Sequence, residues 1–205
     1  MSPTVGREES SQTSYLDGQL LIAMPSMSDP NFARSVIYLC AHSEEGAMGL
    51  VINQHARDIT FLGLMEQLDV VKEDDTNTET RQQFSDRAVL VGGPVEPNRG
   101  FVLHTTDYSG DDTTLEVRDE IGLTATLDVL RAMVTGDGPK RSLLALGYAG
   151  WSPGQLEDEI QANGWLHCEA DKALVFDAPV DEKYERALAS LGIDPGQLSS
   201  VAGHA

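Results

Sequence analysis

Continuous apolar runs mark several segments of this chain as buried strands. Gln19 to Met24 is the first, and Ser35 to Ala41 and Ala47 to Asn53 follow it closely. The last two are apolar on both faces, which predicts a hairpin in the centre of a sheet that is covered on each side. The connection from His42 to Gly46 is too short for anything but a hairpin turn, so we expect Gly46 to have a positive φ.

Segments whose apolar residues have the spacing of a helix lie between these strands in no regular order. Helices are predicted to begin at Asp58 or Thr60, at Thr124 or Thr126, at Ser152, at Asp181 and at Asp194, with Gly136, Gly164 and Gly192 ending the second, third and fourth. The pattern Ser152-Pro153-Gly154-Gln155 has the spacing of a capping box, so Ser152 is predicted to cap a helix that runs to Asn163.

The remaining segments complete a prediction of fold class. Further strands are predicted at 88–91, 100–105, 113–118, 143–149 and 173–177, and a long exposed loop is predicted at 72–86. Strands precede, interrupt and follow the helices without a regular β-α-β order, which favours an α+β fold with a mixed, strongly bent sheet. Residues 1–14 are polar and predict a disordered tail, and residues 15–205 are predicted to form a single domain.

The charge of the chain limits the classes of partner. Lys and Arg number 14 against 33 Asp and Glu, which gives a net charge of -19 and a pI near 4.4. Because nucleic acids and anionic membrane surfaces are bound by clustered cations, the composition disfavours both as partners. The N-terminal segment has no apolar stretch of signal-peptide type, so we expect a cytoplasmic protein whose cysteines, Cys40 and Cys168, are free thiols.

Three segments punctuated by Gly and Pro contain most of the unusual residues, at 18–53, 91–104 and 145–166. They include the strings GQLLIAMP, RSVIYLC, GAMGLVIN, GGPV, RGFVLH and LGYAGWSPGQLEDE. In these strings, from about Gly18 to Gly203, the chain resembles the AlgH/YqgE family of bacterial proteins. The resemblance implies a single α+β domain with a curved, barrel-like sheet and outer helices. It implies no settled activity, because the family's regulatory label, from one member's association with alginate synthesis, supplies no catalytic residues.

Candidate catalytic groups each have a structural alternative. Cys40 lies two residues before His42, so the two side chains share a face of a strand and a thiolate beside an imidazolium would be an activated nucleophile. The alternative, a small buried hydrophobe within VIYLCA, is favoured. Ser35 lacks the G-x-S-x-G turn of a hydrolase nucleophile. The His and Cys residues lack metal-ligand spacing, so we predict no catalytic residue, metal or cofactor.

A more interesting set combines backbone donors with one cation. The candidate ligand-binding residues are Asn53, Gly92, Gly93, Asn98, Arg99 and His104. Glycines leave backbone N–H groups accessible to a carboxylate or phosphate, and an arginine adds a fixed positive charge. The alternative is that the glycines only reverse the chain and that Arg99 pairs with an acid. A run of acids at 157–159 is interpreted separately, as a solvated face of the helix after Ser152.

These patterns leave three functional hypotheses. The first is a non-enzymatic binding or regulatory module that takes a small anionic ligand or a protein partner on the surface of the three segments. The second is a hydrolase or thiol-dependent enzyme. The third, a transcriptional regulator that binds DNA directly, is disfavoured by the charge and by the lack of a helix-turn-helix pattern.

Overall fold

The computed structural model describes residues 15–72, 78–108, 110 and 113–194. The strands are β1 Gln19–Ala23, β2 Val36–Ser43, β3 Gly46–Val51, β4 Val89–Val91, β5 Val95–Thr105, β6 Thr114–Glu116, β7 Ile121–Thr124, β8 Ser142–Trp151 and β9 Trp165–Glu169. The helices are α1 Phe61–Gln67, α2 Thr78–Ser85, α3 Leu127–Thr135, α4 Gln155–Gln161 and α5 Lys183–Ser190, with a π-helix at Ala173–Asp177 and a 3₁₀ turn at Val180–Glu182. The predicted tail and all but the first residue of the predicted last helix lie outside the described residues.

The strands form one curled sheet in the order β6-β7-β5-β8-β3-β2-β1-β9. Neighbours along this path pair antiparallel, whereas β4 joins β8 in parallel, so the sheet is mixed. Strand β8 connects the two halves, because its first part pairs with β4 and β5 and its last part pairs with β3. The predicted α+β fold with a bent, barrel-like sheet and outer helices is therefore confirmed.

Side chains of the central strands alternate between two packed faces, as the period of a strand requires. Leu20 and Ile22 of β1 lie in the core that includes α5, whereas Leu21 packs on the opposite face with Leu156 of α4. Strand β2 alternates in the same way and is buried from Val36 to Cys40. The sheet is thus covered on each side of the β2–β3 hairpin, as its sequence predicts.

Two local predictions about turns and caps are confirmed. Strands β2 and β3 pair up to Ser43 and Gly46, and Gly46 has a φ of 125°. Thr60 caps α1, because its hydroxyl accepts a hydrogen bond of 3.1 Å from the backbone N–H of Gly63. Both features are set by residues close in sequence, which is why the sequence pattern identifies them.

Three local predictions are wrong. The expected loop at 72–86 contains α2, and Phe84 of this helix is buried and stacked on Phe61 with the ring centres 5.3 Å apart. The expected strand Ala173–Asp177 is a π-helix, since a short apolar run does not distinguish a strand from a buried helical turn. The third error is the cap at Ser152: its N–H donates to Oε1 of Gln155 at 3.0 Å, as in a capping box, but no side chain caps the helix. Helix α4 runs from Gln155 to Gln161, after Gly154 with a φ of 77°, and does not reach Asn163. The part of the loop at 73–77 lies outside the described residues.

The sequence analysis also missed two strands, β7 and β9. Strand β9 begins directly after Gly164 and pairs with β1 along its whole length, from Gln19 opposite Glu169 to Ala23 opposite Trp165. Within the described part of the chain, no helix is both long and apolar enough to cross a membrane.

Candidate functional site

The three Gly/Pro-rich segments meet at an open groove of about 690 Å³. The groove is lined by Glu45, Ala47, Met48, Val95, Glu96, Arg99, Phe101, Tyr148, Gly150, Trp151, Ser152 and Pro153. These residues come from the β2–β3 turn and the start of β3, from residues 95–101 of β5, and from the end of β8 together with the turn that follows it. The convergence of segments far apart in sequence is a consequence of the pairing of β8 with both β3 and β5.

A bulge in β5 shapes one side of the groove. Val95 pairs with Tyr148 and Gly100 pairs with Leu146, so residues 96–99 lie opposite Gly147 alone. A bulge bends its strand and turns side chains away from the regular ladder. Residues 95–99 are accordingly exposed, and this brings the charges of Glu96 and Arg99 to the rim of the groove.

Arg99 lies at the end of a short stack of side chains. Its guanidinium carbon is 5.1 Å from the centre of the Phe101 ring, and that ring meets Tyr148 edge to face with the centres 5.7 Å apart. Nη1 of Arg99 lies 3.3 Å from Oε2 of Glu96, and the arginine side chain is 54% exposed. A guanidinium has several N–H donors in a planar fork, so donors remain for a partner beside those that face Glu96.

Glu159 fixes the wall behind Trp151. One oxygen of this carboxylate accepts hydrogen bonds from the indole N–H groups of Trp151 at 3.0 Å and Trp165 at 2.8 Å, and its other oxygen accepts one from Gln155 at 2.9 Å. The two indole rings meet edge to face with the centres 5.9 Å apart. Buried tryptophans need an acceptor for the indole N–H, and here a helix carboxylate supplies it to both.

A second carboxylate of α4 binds the β2 strand. Glu157 accepts a hydrogen bond of 2.9 Å from Nε2 of His42, while Nδ1 of His42 accepts one of 3.0 Å from the backbone N–H of Leu16. The pKa of Glu157 is lowered by the hydrogen bond from its own backbone N–H and by His42. The predicted solvated acidic face is therefore wrong for Glu157 and Glu159, and Asp158 alone of the three acids is exposed.

Of the predicted ligand-binding residues, the groove contains Arg99. Asn98 lies beside it but lines a separate apolar cavity of about 110 Å³, to which Arg99 also contributes. The Asn53 side chain binds the backbone that leads into β2, since its Oδ1 accepts from the N–H of Val36 at 2.7 Å and its Nδ2 donates to the carbonyl of Arg34 at 2.9 Å.

The two glycines of the predicted nest lie where the chain crosses β8. The N–H of Gly92 donates to the carbonyl of Leu146 at 2.8 Å, so this donor is used within the fold. A Cβ atom on Gly93 would lie 2.1 Å from the carbonyl carbon of Tyr148, and one on Gly147 would lie 2.4 Å from the carbonyl oxygen of Gly93. Close approach of backbones explains why glycine is required here.

His104 is fully buried and lies away from the groove. Its Nδ1 donates to the carbonyl of Thr105 at 2.9 Å, so its Nε2 accepts from the hydroxyl of Thr124 at 2.8 Å. Burial lowers the pKa of His104, although the hydrogen bond to Thr105 and the charge of Asp107 oppose this effect. The six candidate residues thus do not share one surface, and ligand binding by them stays a prediction.

The two thiols lie in environments that favour the protonated form. Burial raises the pKa of Cys40 to about 12, and burial also raises the pKa of Cys168, which is partly exposed. Ser35 is buried just before β2. Within the described ranges, no group of three or more His, Cys, Asp or Glu side chains is arranged to hold a metal ion.

Several groove residues were not singled out from the sequence. Met48 and Tyr148 lie in predicted strands and Val95 lies before another. Their common surface depends on the pairing of those strands, which the sequence pattern does not give. In the sequence, the concentration of Gly and Pro in three segments indicated a shared surface, but it did not indicate which residues form that surface.

Comparison with known proteins agrees with this fold. The profile of a protein family described as AlgH-like matches residues 20–196. A UPF0301 protein of Rhodopseudomonas palustris strain HaA2 is 59% identical over 194 residues, which cover 95% of this chain and 88% of the relative. A UPF0301 protein of Methylocella silvestris is 60% identical over 191 residues, which cover 93% of this chain and 92% of the relative.

Two solved structures are similar. The solution structure of the AlgH protein from Pseudomonas aeruginosa superimposes with a TM-score of 0.73 at 45% identity, covering 96% of this chain and all of that one. The crystal structure of a Corynebacterium diphtheriae protein gives a TM-score of 0.66 at 22% identity, with 92% of each chain covered, and supports the fold alone.

Proposed function

This chain belongs to the AlgH-like family, and we propose that it acts as a non-enzymatic binding module whose groove receives a segment of a protein partner. The observation that carries the proposal is the convergence of all three irregular segments on one open surface. Irregular backbone is maintained at this surface by bulges and backbone crossings that a packing scaffold does not need.

The side chains of the groove are of the types that recur at the centres of protein interfaces. Tyr148 is the partly exposed aromatic residue of the groove, the buried rings of Phe101 and Trp151 lie behind it, and Met48 and Arg99 lie beside it. Aromatic residues, Met and Arg are enriched in interfaces, and Trp, Tyr and Arg are enriched among the residues that dominate binding energy. The groove is open to solvent, which suits an extended segment better than an enclosed small ligand.

Charge indicates the chemistry of the partner segment. Glu45 and Glu96 lie at the rim, and the whole chain has a net charge of -19. Opposite charge steers association and excludes wrong partners. The proposed segment therefore carries an aromatic or aliphatic side chain for the floor of the groove and a basic residue for Glu45, and nucleic acid is not part of the proposal.

The hydrogen bonds of the histidines and the burial of one thiol favour binding over catalysis. Both ring nitrogens of His42 and of His104 are engaged in hydrogen bonds within the fold, so neither ring has a free base directed at the groove. The thiol of Cys40 is buried with a raised pKa, the opposite of an activated nucleophile. A binding module needs none of these groups.

Site-specific photo-crosslinking in cells tests the proposal. A photoreactive amino acid at Val95, which is 37% exposed in the groove, should give a defined crosslinked partner. The same amino acid at Leu115, which is 47% exposed on β6, is the matched control and should not give that product.

The contact is then measured with the purified partner or its crosslinked peptide. Arg99→Ala should weaken binding about tenfold or more, as loss of an interface arginine does. Arg131→Ala is the control, because Arg131 forms a similarly exposed pair with an acid three residues away, on α3. Identical crosslinks from Val95 and Leu115, or equal affinities for both alanine variants, would refute the proposal.

A further inference from the structure

A second cavity, of about 500 Å³, lies between the segment that leads into α1 and the connection from α2 to β4. Its lining includes His55, Arg57, Ile59, Asp86 and Arg87. None of these residues lines the groove described above, so the cavity is a separate feature of the molecule.

The arginines of this cavity differ from the others. Of the arginines whose side chains the structure describes, six form ion pairs with carboxylates: Arg34, Arg99, Arg118, Arg131, Arg141 and Arg186. The two that form no ion pair with a described carboxylate are Arg57 and Arg87, and both line this cavity. In a chain with 33 acidic residues, two arginines at one place with no ion pair to a described carboxylate call for an explanation.

The described contacts that hold Arg87 in place are with an aromatic ring and a hydroxyl group, which do not neutralise its charge. Its guanidinium carbon is 5.3 Å from the centre of the Phe61 ring, and its Nη2 donates to the hydroxyl of Ser142. The side chain is partly buried, and this burial lowers its pKa. A guanidinium fixed on an aromatic face with spare donors is arranged to receive an anion.

We propose that this cavity binds a phosphate monoester, with Arg57 and Arg87 taking the phosphate oxygens. Arginine forks match phosphate geometry and form charge-assisted hydrogen bonds that are stronger than neutral ones. The cavity is much larger than a phosphate group, and Ile59, Val89 and Ala56 give it an apolar wall for the organic part of the ligand. The two acids of the lining weaken binding only partly, since Asp86 and Asp181 are both exposed and their charges are screened by water.

Calorimetry on the full chain, with ribose 5-phosphate, inorganic phosphate and ribose as probes, tests the proposal. Ribose 5-phosphate should bind saturably, inorganic phosphate more weakly, and ribose not at all. Arg57→Gln should weaken ribose 5-phosphate binding roughly tenfold or more, because a charge-assisted hydrogen bond is lost. Arg57 is exposed and makes no packing contact comparable to that of Arg87, so its variant should keep the fold.

Arg186→Gln serves as the control, because Arg186 is exposed, is paired with Glu182 and lines a different cavity of the molecule. It should bind ribose 5-phosphate as the unaltered protein does. Absence of saturable binding of ribose 5-phosphate at millimolar concentration, or equal affinities of the two variants, would overturn the proposal. Binding of inorganic phosphate as tight as that of ribose 5-phosphate would overturn the assignment to a phosphate ester.

Discussion

Replacement of Glu159 by alanine should destabilise the protein more than any ordinary change on a helix surface. The carboxylate accepts hydrogen bonds from two indole N–H groups, and Trp151 and Trp165 are 6% and 3% exposed. The Glu159→Ala variant leaves both donors without an acceptor inside the fold. Each unsatisfied buried donor costs about 1–3 kcal/mol, so the expected loss is about 3–5 kcal/mol of the free energy of unfolding after partial relaxation.

Urea denaturation followed by tryptophan fluorescence measures this loss directly. The chain has two tryptophans, and both belong to the cluster, so the signal reports on the perturbed site itself. Glu159→Gln keeps one acceptor oxygen for the indoles and should cost less than half as much as alanine. Asp158→Ala, at the exposed neighbouring position, should change the stability by less than about 0.5 kcal/mol.

The outcome that refutes this reasoning is specific. If Glu159→Ala and Asp158→Ala had the same midpoint and the same slope, the two indole hydrogen bonds would contribute nothing to stability. A lower slope with an unchanged midpoint would instead indicate a change in the denatured state, and would equally contradict the account.

Three further predictions concern single residues. His104 is neutral in the fold because burial lowers its pKa, so its contribution to the free energy of unfolding is present above the unfolded pKa of about 6.5 and is lost as the pH falls below it. If the urea midpoint of the His104→Gln variant depended on pH as strongly as that of the unaltered protein, this would be contradicted. Cys40 should resist iodoacetamide in the native protein and react only on unfolding, because its thiol is buried with a raised pKa; rapid native labelling at Cys40, identified by mass spectrometry, would show otherwise. Gly147→Ala should lower the free energy of unfolding by about 3 kcal/mol or more, or prevent folding, because the added Cβ would meet the backbone of Gly93. Gly154 has a similar φ with open space around it, so Gly154→Ala should cost about 1–2 kcal/mol. Equal thermal midpoints for the two variants would refute the role of the backbone crossing.

The family resemblance and the local patterns anticipated much of the fold. The hairpin at Gly46, the cap at Thr60 and the helix ends at Gly136 and Gly192 follow from residues that are neighbours in the chain, and all three glycines have a positive φ. Apolar runs on both faces identified the central strands for the same reason. Such features need only the conformational preferences of a few adjacent residues.

The errors have a common cause in contacts between distant residues. Phe84 makes α2 part of the fold by stacking on Phe61, although the segment around it has the composition of a loop. Glu157 is an acceptor for His42, 115 positions away, and not a solvated acid. Ser152 does not cap α4 because Gly154, in a left-handed conformation, is the residue directly before the helix.

The sequence by itself determined the α+β class and the local turns, because these depend on short-range periodicity and on residues with special backbone freedom, and the resemblance of its motifs identified the family. Tertiary structure decided the groove, the double hydrogen bond of Glu159 and the meeting of Arg57 with Arg87 in one cavity. Strand β8 pairs with both β3 and β5, and this arrangement brings together side chains that no local pattern relates. Burial and partner choice are properties of the closed chain, since the free energy of a polar or charged group depends on what surrounds it.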